Sequence, residues 1–515
     1  MLKKTAKLTL TASLAIMLSA CSLVKYQPLE TINKVDLNKG YRFDNANKEN
    51  QDDTFMVLMF SGGGTRAAAL GYGVLEQLHQ QQVQINGQKK SLLENVDLVV
   101  GVSGGSVLAA YYSLHGADTI PSFYRRFLRQ NFQRKVIRQA FSATNIPRLA
   151  SREFGRGDLL QEQFETYLFG RATFEDLEKR RKGPFAIISA TDMGIGERLN
   201  FTQEYFDPMC LNLSKLSIAR AVAASSAVPV VFAPLTLNNN GGNCNYTPPK
   251  RIQAAVQKDE GKNKQQNITR KEVKEHFLQY SDSQSRPYIH LLDGGLTDNL
   301  GMRSLLDMTE VYSGNMLVQQ MSTHKIKRIV VINVNAQNQI NTDLDKTADV
   351  PGMRDVVNAI IDIPIGKYSQ ESLRRFRAFT DRWNEAKYKD ANGNPISLTF
   401  VSLSLRDLPE SPLRETVLNI PTSFYLPAED VDNLRTAATE LMKHSKEYQG
   451  LLKELSTRPN ADALFNQTEL AMEDNPEMEP VENPFSIEEL NQVNAVDYQE
   501  FELPQQPQIE TQPAE

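Results

Sequence analysis

The stretch Val96-Asp97-Leu98-Val99-Val100-Gly101-Val102-Ser103-Gly104-Gly105-Ser106-Val107-Leu108-Ala109-Ala110 limits what this chain can become more than any other part of it. A short apolar run, a cluster of small residues and a second apolar run read in order as buried strand, tight turn and helix. Ser103 stands at the centre of G-x-S-x-G, the pattern of a sharp strand-to-helix turn, with Gly101 and Gly105 leaving room for close backbone approach. A hydroxyl at that tip faces a helix N-terminus, where developing negative charge is favoured. Small-residue turns of this kind are common, so the pattern becomes chemical only through its context.

That context is an alternation of strands and helices. Phe55 to Phe60, Val96 to Val100, Phe185 to Ala190 and Ile329 to Val334 are apolar throughout and bounded by Gly, polar or charged residues, as buried strands are. Helical patterns separate them at Arg66 to Gln80, Gly105 to Leu114, Phe123 to Phe141 and Ser217 to Ala224. The rhythm predicts an α/β fold with a mostly parallel central sheet and helices on both faces. Residues 55–336 form the expected catalytic domain, interrupted at 238–289 by a polar insertion with one short helix around Glu272 to Gln279. A C-terminal α/β extension follows over 337–458, with a helix Lys367 to Ala386, a strand Leu398 to Leu405 and a long helix from Ala428 towards Leu455.

Two further motifs carry chemistry. Ser61-Gly62-Gly63-Gly64-Thr65-Arg66-Ala67 follows the first strand and opens a helix, so consecutive backbone N–H groups converge where an oxyanion can form. The same residues fit a dinucleotide fingerprint, but the next strand leads into the Ser103 turn and offers no acid for a ribose hydroxyl. A P-loop is excluded by the lack of Gly-Lys-Ser/Thr. Leu291-Leu292-Asp293-Gly294-Gly295 places an acid at the end of an apolar run. An Asp before two glycines is by itself more often a turn residue. A serine nucleophile needs a base, however, and only His324 and His444 lie after Asp293, both in charged surroundings.

The ends of the chain differ from its body. Lys3, Lys4 and Lys7 precede an apolar run from Leu8 to Leu18, the layout of a secretory signal over residues 1–20. Leu18-Ser19-Ala20-Cys21 resembles the bacterial lipoprotein box, which implies lipidation of Cys21 and a tether over 21–54. Ser22 at the following position implies the outer membrane of a bacterial envelope. Residues 459–515 hold 14 Asp and Glu and no Lys or Arg, a composition that cannot order itself and reads as an acidic disordered tail. Without the signal and the tail, 54 Lys and Arg face 48 Asp and Glu, a net charge of +6. Such a body suits an anionic lipid surface or is ordinary solubilising charge. Cys210 and Cys244 meet an oxidising compartment in an exported chain and can pair there. No Cys or His pair has zinc-ligand spacing, so no metal site is expected.

Taken as a set over residues 55–335, the three motifs resemble the patatin-like phospholipases, and Ser217 to Pro234 matches that family's Ala/Ser-rich helix entering a Pro turn. The resemblance implies a three-layer α/β/α fold, Ser103 as nucleophile, Asp293 as general base, Gly62, Gly63 and Gly64 as the oxyanion hole, and Arg66 as the basic residue after the glycines. Ser61 stands where the family often has Asp, and Ala67 where it often has Gly. It implies a lipid acyl hydrolase, of the phospholipase A or lysophospholipase kind, acting on phospholipid at a membrane surface reached through lipidated Cys21, with no cofactor and no nucleic-acid partner. Acyltransferase and thioesterase chemistry use the same pair, and a non-catalytic lipid-binding or scaffolding lipoprotein is the alternative from another class. Tyr111 and Tyr112 either line an acyl channel or pack the core. In Phe123 to Phe141, apolar residues recur at helical spacing among Arg125, Arg126, Arg129, Arg134, Lys135 and Arg138. This segment either lies on anionic lipid or packs on the core with a solvated basic face.

Overall fold

Strand β1, Thr54–Phe60, lies at the centre of the fold because both its faces are apolar and both are covered. In the computed structural model the described residues are 24–46, 53–85, 88–248, 264–311, 326–338, 343–390 and 393–455. The expected signal, lipidated Cys21, His324 and the acidic tail lie outside them. The chain divides into two units, Met1–Asn460 and Ala461–Glu515, and the description below concerns the first.

The remaining strands of the main sheet are β2 (Leu98–Val102), β3 (Phe185–Asp192), β4 (Glu197–Asn200), β5 (Leu235–Asn238), β6 (Tyr288–Asp293), β7 (Arg328–Asn335) and β8 (Ser397–Ser404). They run in the order β8-β7-β1-β2-β3-β6-β5, with β4 paired to β3. The first four pairings in that order, from β8 to β3, are parallel, and β4, β5 and β6 join antiparallel. This is the mostly parallel sheet of an α/β/α fold. Register fixes the site. Phe60 lies opposite Gly101 across β1 and β2, so the loops leaving both strands emerge side by side. Val102 pairs with Ser189, and Ala190 pairs with Asp293, so Asp293 lies two strands over from the Ser103 turn, with β3 between.

The helices that matter here are α1 (Gly64–Gln80), α2 (Gly104–His115), α3 (Phe132–Ala140), α4 (Arg156–Phe164), α5 (Ile218–Ser225), α6 (Lys264–Tyr280), α7 (Met353–Ala386), α8 (Pro412–Asn419), α9 (Ala428–His444) and α10 (Lys446–Glu454). α2 is buried over most of its length, and α1 is sandwiched between the sheet and α9. Gly73 lets the second contact close, since a Cβ there would lie 2.8 Å from Ala438 Cβ and from Arg435 Cα. Glu76 completes it with an ion pair to Arg435 at 2.7 Å.

Several expectations change. Phe123 to Phe141 is not one helix: the Arg129 N–H reaches back to Tyr124 O at 3.0 Å in a wide turn, and Asn131 restarts α3 by accepting from Arg134 N. The long helix from Ala428 is likewise divided, because Ser445 caps α10 through Tyr448 N (3.2 Å). α6 is far longer than the short helix expected in the insertion, and Phe277 and Tyr280 bury against the body. α7 begins fourteen residues before the expected Lys367.

Residues 337–458 are more than an extension, since β8 continues the sheet in parallel with β7. Nor is the segment before β1 a loose tether over its described part. Tyr41 is buried, stacks on Phe185 at 4.1 Å and hydrogen bonds both ways with the Ala186 backbone (3.0 and 2.8 Å). Arg42 pairs with Asp207 at 2.8 Å, both buried.

Cys210 and Cys244 form a disulfide, 34 residues apart in sequence, and both are buried. Closing a loop of this length restricts the unfolded chain by about 3 to 4 kcal/mol. The double substitution Cys210→Ser and Cys244→Ser is therefore expected to lower the unfolding free energy by about that amount, as read from denaturant titration. An unchanged midpoint would show that the bridge carries no stability.

Candidate active site

Ser103 adopts φ 53° and ψ −125°, a conformation that a non-glycine residue holds only when its surroundings over-determine it. The surroundings are explicit. Ser103 N–H donates to Ser225 Oγ at 2.9 Å, and Ser225 Oγ in turn donates to Ser189 O at 2.6 Å. Ser103 O accepts from Ser106 Oγ (2.6 Å) and Ser106 N (2.8 Å). The flanking glycines have no room for side chains: a Cβ on Gly104 would sit 1.9 Å from Gly64 O, and one on Gly105 would sit 2.5 Å from Phe60 O and Ser61 O. Ser225 was visible in the sequence only as part of an Ala/Ser-rich helix, with no signal that its hydroxyl would hold the turn.

The turn aims Ser103 Oγ at Asp293, whose Oδ2 accepts its hydrogen bond at 2.7 Å. Asp293 Oδ1 accepts from Gly295 N at 2.8 Å, and the Asp293 backbone is fixed by Ala227 O (3.0 Å) and the Thr191 hydroxyl (2.8 Å). Ser103 is 4% exposed and Asp293 8%, so the pair is dry. Burial pushes the Asp293 carboxyl up to about 6, against the opposing pull of its bonds from Ser103 and Gly295. Asp298, five residues on, is also buried and raised, but its oxygens are occupied by Met302 N, Arg303 N and the Arg198 guanidinium. Among the described residues the hydrogen-bond partners of Ser103 Oγ and the Asp293 carboxylate include no histidine. His444 is on the surface, bound to its own helix through Glu440.

The glycine cluster lies against this pair, with Gly62 so placed that a Cβ would be 3.4 Å from Ser103 Cβ. Its three N–H groups are not equivalent. Gly62 N–H is already donated to Asn299 O at 2.9 Å. Gly63 (φ 136°) and Gly64 (φ 59°) adopt conformations that favour glycine, and their N–H groups donate to no other described residue. The same holds for Gly104, the residue after Ser103, which adds a donor that the sequence pattern offered and the expected set left out.

Arg66 does not face the pair. Its Nε donates to Ala336 O (2.8 Å) and its NH1 to Ile420 O (2.6 Å), tying the end of β7 and the turn after α8 to the glycine loop. Burial lowers the guanidinium to about 10, and Asp362 opposes that shift. Thr65 N–H donates to Ser423 O at 2.8 Å, so residues after α8 complete the loop. Ser61 accepts from Ala336 N at 2.9 Å and donates to Gly62 O. Tyr111 and Tyr112 pack the core, their hydroxyls donating to Ser122 Oγ and Leu93 O. A separate cavity of about 720 Å³ lies between β8, α7 and α9, lined by Arg377, Phe400 and His444, and includes neither Ser103 nor Asp293. Among the described residues no group of three or more His, Cys, Asp or Glu is arranged to hold a metal ion.

A carboxyl whose folded value is raised destabilises the fold when ionised, so stability attributable to Asp293 is full at low pH and is lost as pH rises through about 6. Asp293→Asn removes that cost. It is expected to raise the unfolding free energy by on the order of 2–3 kcal/mol at pH 8, with the advantage shrinking towards pH 4. Denaturant melts across that range test this; a pH-independent difference would place the raised value elsewhere.

Residues 58–306 match the family model described as Patatin-like phospholipase and constitute a domain of that family. Among solved structures, human GIVD cytosolic phospholipase A2 overlays with a TM-score of 0.41 at 11% identity, covering 82% of this chain and 65% of that one. The same protein in complex with methyl gamma-linolenyl fluorophosphonate gives 0.39 at 14%, covering 82% and 62%. The type III effector protein ExoU gives 0.21 at 12%, covering 80% and 77%. The chain thus spans just under two thirds of the length of the human phospholipase. Overlays this loose bear on neither substrate nor activity. A search of curated proteins gives no match.

Proposed function

We propose that the patatin-like phospholipase domain of this chain cleaves acyl esters of membrane phospholipids, with Ser103 as nucleophile and Asp293 as the only base. The observation that carries the reading is the 2.7 Å hydrogen bond from Ser103 Oγ to Asp293 Oδ2 in a turn whose backbone is held in a sparsely populated conformation.

The chemistry follows from the site. Asp293 takes the Ser103 proton as Oγ attacks the ester carbonyl, and its burial raises its proton affinity enough to make that transfer competent. The carbonyl oxygen becomes an oxyanion, for which the N–H groups of Gly63, Gly64 and Gly104 remain available while Gly62 serves the loop. Each such donor is worth about 2.7 to 4 kcal/mol at the transition state. Collapse breaks the ester C–O bond, and Asp293 returns the proton to the leaving alkoxide, releasing lysolipid. Water then loses a proton to Asp293 and attacks the acyl-serine; the second collapse frees Ser103 Oγ, which recovers the proton, and a fatty acid departs. In the same reading, a signal at residues 1–20 and lipidation of Cys21 hold the enzyme on the outer membrane of a bacterial envelope, beside its substrate.

A fluorophosphonate probe is expected to label the purified protein at Ser103 and to fail on Ser103→Ala that still unfolds cooperatively. Labelling that persists in Ser103→Ala would remove Ser103 from its role. For a water-soluble ester, kcat/KM is expected to rise with pH through about 6 and then stay level, since the base is Asp293 alone. A rise centred near 7 that Asp293→Asn leaves in place would point to a different base.

A further inference from the structure

We infer that the surface formed by α3, the turn from Phe141 to Arg152 and the loop Val228–Phe232 docks on a bilayer rich in anionic lipid. The inference goes beyond the hydrolytic reading, and its main support does not depend on it.

Charge is the first support. From Thr119 to Arg152 the chain has eight Lys and Arg and no Asp or Glu. Arg138 and Arg152 are exposed on the face itself, and Arg125, Arg126 and Arg129 are exposed on the stretch that leads into α3. The acids nearest to it in sequence lie just outside it: Asp118 pairs with Lys182 at 2.7 Å, Glu153 accepts from Tyr26 N at 2.6 Å, Asp158 pairs with Arg220 at 3.1 Å, and Glu162 pairs with Arg148. Such a surface complements phosphate headgroups, each basic residue near an anionic leaflet adding about 1 kcal/mol.

Exposed apolar side chains on the same segment are the second support. The segment both packs on the core and reaches out: Phe132 and Val136 are buried, whereas Ile137 is 45%, Phe141 69% and Ile146 55% exposed. Apolar tips projecting among cations are the arrangement of an interfacial anchor. The loop Val228–Phe232 adds Val230 and Val231, 72% and 53% exposed. It meets the residues that directly follow the segment: Arg156 donates to Val230 O at 2.8 Å, and a Cβ on Gly155 would sit 2.6 Å from Ala233 Cβ. This loop starts one residue past Ala227, whose carbonyl receives Asp293 N–H. The face therefore adjoins the reacting pair.

The third support is the position of the chain's beginning. Val24 O accepts from Ser151 Oγ at 2.9 Å, at the end of the same basic segment. Cys21 precedes Val24 by three residues, a span of at most about 11 Å. An acyl anchor there, which rests on the proposal for Cys21, would emerge beside this face and not at the opposite side of the sheet. A second exposed apolar row, Met353, Val356, Ile360 and Ile363 on α7, has Asp355 and Asp362 among it and lacks this cation density.

The only tryptophan, Trp383, is buried and donates to Ile396 O at 2.9 Å, so a second one placed on the surface reports on its own surroundings. In the full chain, Phe141→Trp is expected to shift its emission to the blue and to be quenched by vesicles of phosphatidylglycerol mixed with brominated phosphatidylcholine. Adding Arg134→Glu and Arg138→Glu is expected to weaken partition at least about tenfold, and vesicles of phosphatidylcholine alone to bind less than the mixed ones. Phe141→Trp that stays unquenched while the protein pellets with the mixed vesicles overturns the inference. So does Ile360→Trp quenched more strongly than Phe141→Trp, which moves the docking face to α7. Hydrolysis of a water-soluble ester by the same variants reads Ser103 and Asp293 separately, so loss of that activity with quenching intact would fail the hydrolytic reading and leave this one standing.

Discussion

The hydrogen bond from Ser103 N–H to Ser225 Oγ is where the architecture meets the chemistry. A serine at φ 53° costs on the order of 1–3 kcal/mol, and the turn persists because three elements refuse it any other conformation. α5 supplies Ser225, whose own proton is committed to Ser189 O on β3, so the hydroxyl that holds Ser103 is itself held. β1 and the loop after it supply Phe60 O and Ser61 O, against which Gly105 packs without a side chain. The glycine loop supplies Gly64 O against Gly104. Each contact depends on the parallel register of β1, β2 and β3, which brings their carboxyl ends together.

The dryness that this packing creates works in two directions. It raises the proton affinity of Asp293, as the proposed role of base requires, and it makes the ionised carboxylate costly to the fold. Hydrogen bonds from Ser103 and Gly295 offset part of that cost. Stability and readiness for proton transfer are thus opposed at one side chain, as active sites commonly show.

Much of this was legible from sequence because it is local. Apolar runs bounded by polar residues marked β1, β2, β3 and β7, and small residues around Ser103 marked the turn, since steric demands of a tight turn act within a few residues. What could not be read is long-range. Nothing near Gly62 says that its N–H is taken by Asn299 O, and nothing near Arg66 says that it ties down Ala336 and Ile420. The basic residue after the glycines reads as part of a binding loop, yet its role is to hold distant chain. Helix breaks were missed for a different reason: periodicity continues through Asn131 and Ser445, and only the capping hydrogen bonds of their side chains reveal the stops. The part of the insertion now seen as α6 was under-read because its polar composition hides two buried aromatics, Phe277 and Tyr280.

The glycine loop takes its last two fixed contacts from Ile420 and Ser423, close to the end of the described chain. A polypeptide is made from its N-terminus, so Ser103, Asp293 and the glycines all leave the ribosome well before the turn that fixes their loop. Ala336 precedes that turn and can hold the Arg66 Nε alone, but the second guanidinium bond and the Thr65 N–H bond need Ile420 and Ser423. The shape of the loop is therefore tied to Ile420, 354 positions beyond Arg66 and outside the residues that match the family model.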